Sequence, residues 1–144
     1  MINRLAQASQ TPLKGTAILV TSRPYRAKTL HQATRFALQG WCEAWRTQPN
    51  LRVHAFVGTC VILMGLWCRL SLTEWLWVVF AIGLVIFAEL MNTAIEQTVD
   101  LVVGLRPDPL ARRVKDVSAG CVLIAACLAF LISCFTFLPH FVRG

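Results

Sequence analysis

Hydrophobic and polar positions fall into two regimes that meet near Val53. Beyond that point polar residues thin out into three apolar blocks, at residues 53–67, 75–95 and 117–138. The second and third reach the roughly 20 residues a helix needs to cross a bilayer core. The first is shorter and needs Leu70 and Leu72, or its amphipathic approach, to complete a span. The pattern predicts three membrane helices over about residues 53–70, 75–96 and 117–138. Ahead of them, Leu30, Ala33, Phe36, Ala37, Trp41 and Ala44 recur near helical spacing, with Arg35, Gln39, Glu43 and Arg46 on other faces. That periodicity predicts an amphipathic helix over about 29–46, lying on the membrane surface with Trp41 and Trp45 in the headgroup layer.

The connections differ in kind. Pro49-Asn50 ends the amphipathic helix, and a short turn over 70–73 makes the first two spans an antiparallel hairpin. The stretch 103–116 is longer and polar; Gly104 and Pro107-Asp108-Pro109 mark it as a loop with a tight turn. The third span is then expected to follow Asp116, with Ala119, Gly120, Ala125, Ala126, Ala129 and Ser133 favouring close helix packing. Residues 1–26, rich in Gln, Ser, Thr and Pro, are expected to be a disordered tail, leaving 27–144 as one membrane domain. The opening Met-Ile-Asn-Arg-Leu carries no apolar run, so insertion is expected to be driven by the internal helices.

Composition agrees: 56% of the 144 residues are hydrophobic and 15% charged, more apolar than an ordinary soluble domain. The net charge of +7 raises nucleic-acid binding, but the placement of the cations argues for membrane topology. Eight of the fourteen Lys and Arg precede Val53, and Arg106, Arg112, Arg113 and Lys115 lie between the second and third spans. The turn between the first and second spans has only Arg69 and Glu74. The positive-inside rule puts the N-terminus and the Arg112 loop in the cytoplasm and the Arg69 turn and C-terminus outside. Six cysteines, mostly within apolar blocks and without a C-x-x-C pair, read as small packing residues and not as a disulfide framework or zinc site.

At about 100° per residue, Glu89, Glu96 and Asp100 coincide within about 20° and Asn92 lies about 60° aside, so all four share one face of the second span. Carboxylates facing lipid are costly, so the face needs protein, a water-filled cleft or a cation. For Asp100, and less for Glu96, a solvated position past the membrane border is a sufficient alternative. Glu89, with apolar turns before it, is a candidate general base. Glu96, two turns nearer the cytoplasm, suits Mg²⁺, which prefers oxygen ligands. Asn92 could orient either carboxylate or serve as a helix contact. Lys115 and Asp116 fit two accounts equally: snorkelling and a helix cap, or contact with an anionic phosphate chain together with Arg112 and Arg113. No P-loop, G-x-G-x-x-G, H-R-D or D-F-G element occurs.

The run Glu89-Leu-Met-Asn92-Thr-Ala-Ile-Glu96-Gln-Thr-Val-Asp100, followed by Pro109-Leu-Ala-Arg-Arg-Val-Lys115-Asp116-Val-Ser-Ala-Gly120, resembles the signature of the prokaryotic diacylglycerol kinase family, which includes undecaprenol kinases. The likeness extends back through His54, Asn50 and Gly40 to Arg35-Phe36. It implies an all-α, three-span homotrimer of the bacterial inner membrane, its N-terminus cytoplasmic. The implied reaction moves the γ-phosphoryl group of ATP to a lipid hydroxyl, undecaprenol or diacylglycerol, using Mg²⁺. By motif, Glu89 is the implied base and Glu96 the metal ligand. Lys115, Asp116, the stretch Arg106, Pro107 and Asp108, and Glu96 itself are the implied nucleotide contacts. Asn92, Asp100, Arg35 and Ala119 are implied substrate or supporting residues. The family's second acidic metal ligand falls here on Gln48, which offers a neutral oxygen but no charge, so either the metal binds more weakly, another group such as Glu43 substitutes, or the activity is altered. The competing reading is a non-catalytic membrane adaptor or an ion-conducting oligomer using the same acidic face. Neither of those requires Lys115-Asp116 beside a basic loop.

Overall fold

The computed structural model describes Ala27 and residues 29–104 and 106–143 of the chain. The tail expected over 1–26 lies outside them. Among the described residues every regular element is a helix: α1 (Leu30–Thr47), α2 (Pro49–Cys68), α3 (Leu72–Val103) and α4 (Pro109–Arg143). The last three are each long and apolar enough to cross a membrane.

Local chemistry accounts for where each helix starts and stops. The Thr29 hydroxyl accepts the Gln32 N–H at 3.2 Å, capping α1. A single extended residue, Gln48, separates α1 from α2, because Pro49 has no N–H to bond backward yet is suited to a first helical turn. The first span thus gains four residues before Val53 and ends at Cys68, short of the expected residue 70. At the far end Arg69 turns left-handed (φ 53°), and the Leu70 N–H returns to the Gly65 carbonyl at 3.2 Å. Ser71 and Glu74 then form a reciprocal capping box that starts α3, completing a tight α2–α3 hairpin.

The connection between α3 and α4 is shorter than the polarity of 103–116 suggests. Gly104 (φ 64°) ends α3, and α4 already begins at Pro109. The Asp108 Oδ1 accepts the N–H groups of Leu110 at 2.7 Å and Ala111 at 2.9 Å, while Pro109 occupies the first turn. Asp108 is therefore the cap, and Lys115 and Asp116 stand within the helix. The expectation that the third helix follows Asp116 is corrected accordingly. Pro139 lies inside α4, which continues past it to Arg143.

The most extensive helix contact is between α3 and α4. The apolar core, Leu70, Val78 and Phe137 with Val61, Met64, Trp75 and Ile82 around it, sits at the hairpin end. At the opposite end α3 and α4 are joined by polar groups. Large apolar side chains such as Phe56, Leu66, Phe80, Phe87 and Phe130 point outward, as lipid-facing residues do. Five of the six cysteines are exposed on the helices and Cys68 is half-buried, all as free thiols, so in the single chain packing is not what the exposed five do.

Candidate active site

The acidic face expected on α3 forms, and its members meet four different environments. Glu89 is buried at 4% exposure and Asn92 at 8%; Glu96 is half-buried and Asp100 exposed. A helix of 32 residues is about 48 Å long, more than a hydrocarbon core of about 30 Å needs. The gradient of exposure along the face follows the cover that α2 and α4 give to α3.

Each polar residue has a specific partner. Glu89 Oε1 lies 3.2 Å from Nε2 of His54 on α2. The Asn92 side-chain N–H donates to Glu96 Oε1 at 3.1 Å, while its carbonyl oxygen accepts the Ser118 hydroxyl from α4 at 2.6 Å. Asn92 thus performs both functions considered for it, orienting a carboxylate and joining two helices. Lys115 Nζ donates to Asp100 Oδ1 at 2.6 Å, tying the C-terminal end of α3 to the N-terminal end of α4. Asp116 faces outward and pairs with Arg112 one turn earlier at 3.8 Å, a contact of the exposed type that contributes little. No buried side-chain nitrogen or oxygen among the described residues lacks a partner.

Two cavities flank this network. An open one of about 600 Å³ lies at the α3–α4 turn, lined by Asp100, Arg106, Pro107, Asp108, Lys115 and Asp116, with Gly104 and Arg112 contributing. A smaller one of about 250 Å³ lies deeper, lined by Asn50, His54, Glu89, Asn92 and Ala119 among others. The expected nucleotide contacts, Glu96 excepted, thus line one cavity, and the expected base, with Asn92 and Ala119, lines the other. Gln48 sits half-buried at the α1–α2 corner, and Arg35 is exposed on α1; neither lines either cavity. Among the described residues no hydrogen bond or ion pair joins Gln48 or Glu43 to Glu96, and no group of three or more His, Cys, Asp or Glu converges.

Residues 35–137 match the prokaryotic diacylglycerol kinase family, which is more than half of the chain. The chain belongs to that family. An undecaprenol kinase of Bacillus subtilis is 39% identical over 101 residues, covering 70% of this chain and 81% of the relative. A diacylglycerol kinase of Synechocystis is 37% identical over 113 residues, 78% of this chain and 65% of the relative. The diacylglycerol kinase of Escherichia coli K12 is 26% identical over 110 residues, 76% of this chain and 89% of the relative. The family is one of lipid kinases, and this chain is an enzyme of that class.

Sequence reasoning left two residues of the site unassigned. Ser118 lies within the second motif but is silent until α4 docks on α3. The visible sign for His54 was a titratable ring near the start of an otherwise apolar span.

Proposed function

We propose that this lipid kinase transfers the γ-phosphoryl group of ATP to a hydroxyl of undecaprenol or diacylglycerol at the cytoplasmic face of the inner membrane, as a homotrimer. The observation that carries the reading is the placement, on the same helix pair, of an open polar cavity lined by three cations and three carboxylates and of a buried carboxylate. Asn92–Ser118 and Asp100–Lys115 couple the two motifs across α3 and α4 between these cavities. An adaptor needs no buried base, and a cation path does not need Arg106, Arg112 and Lys115 at its mouth.

In this reading the adenosine and phosphate chain occupy the cavity at the α3–α4 turn, against Arg106, Pro107, Lys115 and Asp116. Asp108 contributes chiefly by capping α4, which holds that wall in place. Glu89 accepts the proton of the lipid hydroxyl as its oxygen bonds to the γ-phosphorus. The bond from that phosphorus to the β–γ bridging oxygen breaks, and ADP leaves with the electron pair. Lys115 offsets charge on the phosphates.

The residues fit Mg²⁺ in one respect. The metal is usually held by one or two carboxylates plus waters and phosphates, without an all-protein cage. Glu96, half-exposed and oriented by Asn92, is such a carboxylate. Bound there, Mg²⁺ would neutralise charge on the transferring phosphates. Gln48 and Arg35, away from both cavities in the single chain, would join the site through another copy or through lipid.

The test is a membrane assay with labelled ATP and Mg²⁺, offering undecaprenol and diacylglycerol side by side. Transfer of label to either lipid is the expected result, and no transfer to either with both accessible would sink the proposal.

A further inference from the structure

We infer that His54 is a positioning residue for Glu89, holding one carboxylate oxygen so that the other is presented to the substrate hydroxyl. The inference rests on the kinase reading above and adds a residue to it. Its basis is the side-chain contact on the Glu89 carboxylate, which the proposed reaction leaves unused.

Among the described residues, His54 Nε2 is the only polar side-chain group in contact with the Glu89 carboxylate, 3.2 Å from Oε1. The helix that carries it is anchored one turn earlier by Leu51, which is 1% exposed. Imidazole and carboxylate line the same cavity of about 250 Å³, with Asn50, Asn92 and Ala119. An apolar groove of about 340 Å³ between α2 and α4 is bounded by Val57, Gly58, Ala129 and Phe130, and it shares His54 and Ala126 with that cavity. A lipid chain laid in the groove brings its hydroxyl to the ring side of Glu89.

The chemistry follows from the geometry. A glutamate side chain has three rotatable torsions, and burial alone does not choose which of the Glu89 carboxylate oxygens faces the cavity. A ring N–H donated to Oε1 engages that oxygen and fixes the plane of the carboxylate, leaving Oε2 as the proton acceptor. The molecule contains an internal contrast at the opposite end of α3. His140 Nε2 lies 3.6 Å from Glu74 Oε1, but the Glu74 carboxylate already accepts the Ser71 N–H at 2.7 Å and the Ser71 hydroxyl at 2.6 Å. There the carboxylate is oriented by a helix cap and the histidine is an accessory. At Glu89 there is no cap, and orientation falls to His54.

The experiment uses the full chain in lipid nanodiscs with labelled ATP, Mg²⁺ and the lipid that the wild type phosphorylates. His54→Gln keeps an N–H near the Nε2 position, whereas His54→Leu keeps the bulk and removes the donor. Expected is a fall in kcat of about 10- to 100-fold for His54→Leu, with the KM for ATP unchanged, because the nucleotide cavity lies about three helical turns from Glu89 and shares no lining residue with the Glu89 cavity. His54→Gln is expected within about threefold of wild type. Wild-type kcat in His54→Leu overturns the inference, as does an equal loss in both variants or a parallel rise in the KM for ATP. Absence of lipid phosphorylation by the wild type instead overturns the kinase reading, so the two failures are distinguishable.

Discussion

At the scale of single residues, the acidic face of α3 divides by environment. Glu89 is enclosed and meets one imidazole; Glu96 is half-open and meets an amide; Asp100 is exposed and meets an ammonium. These surroundings motivate different roles for three carboxylates on one stripe. Glu89→Gln keeps the shape and removes the base, so kcat is expected to fall by about 10²–10⁴-fold with little change in the KM for ATP. Steady-state kinetics in nanodiscs check this, and full activity in Glu89→Gln would remove it as the base. Lys115→Ala leaves Asp100 unpaired and removes a cation from the open cavity. The KM for ATP is expected to rise about tenfold, read from the same assay. Asn92→Ala loses the bonds to Glu96 and Ser118, but the Ser118 hydroxyl can still donate to the Lys115 carbonyl at 2.9 Å. The stability cost is therefore expected to stay near 0.5–1.5 kcal/mol, measured by unfolding in mild detergent.

At the scale of elements, helix boundaries were set by short-range chemistry that hydropathy does not report. The stretch 103–116 reads as a loop by polarity, yet Asp108-Pro109 is a helix start, and the cations after it lie on the first two turns of α4. This has a consequence for the site: Lys115 is held on a helix facing Asp100 and not on a loop. The α2–α3 hairpin depends on close approach at Gly65, where an added Cβ would come within 2.9 Å of the Trp75 ring and 3.1 Å of Leu70. Leu70 belongs to the core at that end and the ring packs against it, so neither yields easily. Gly65→Ala is expected to cost about 1–3 kcal/mol, seen as a lower midpoint of thermal unfolding, with the KM for ATP unaffected. A variant as stable as the wild type would show that the hairpin relaxes.

At the scale of the whole molecule, the described chain leaves the Glu89 cavity partly open between α2 and α4 and places Gln48 and Arg35 away from both cavities. A membrane site that is open on one side and lacks contributors is completed most directly by a second copy. Cross-linking and mass measurement in nanodiscs are expected to give a homotrimer, and a fully active monomer would refute that assembly. The sequence by itself determined that the chain carries three helices long and apolar enough to cross a membrane, because a bilayer demands long apolar runs and such runs are a one-dimensional property. It determined as well that Glu89, Asn92, Glu96 and Asp100 share a face, because helical periodicity is local. Only the tertiary structure decided which partner each of them meets. His54 is 35 residues from Glu89, and Ser118 is 26 from Asn92, and such pairings form only when helices dock. The docking that brings Lys115 to Asp100 likewise gathers the second motif into the wall of one cavity, a property of packed helices that no spacing along the chain encodes.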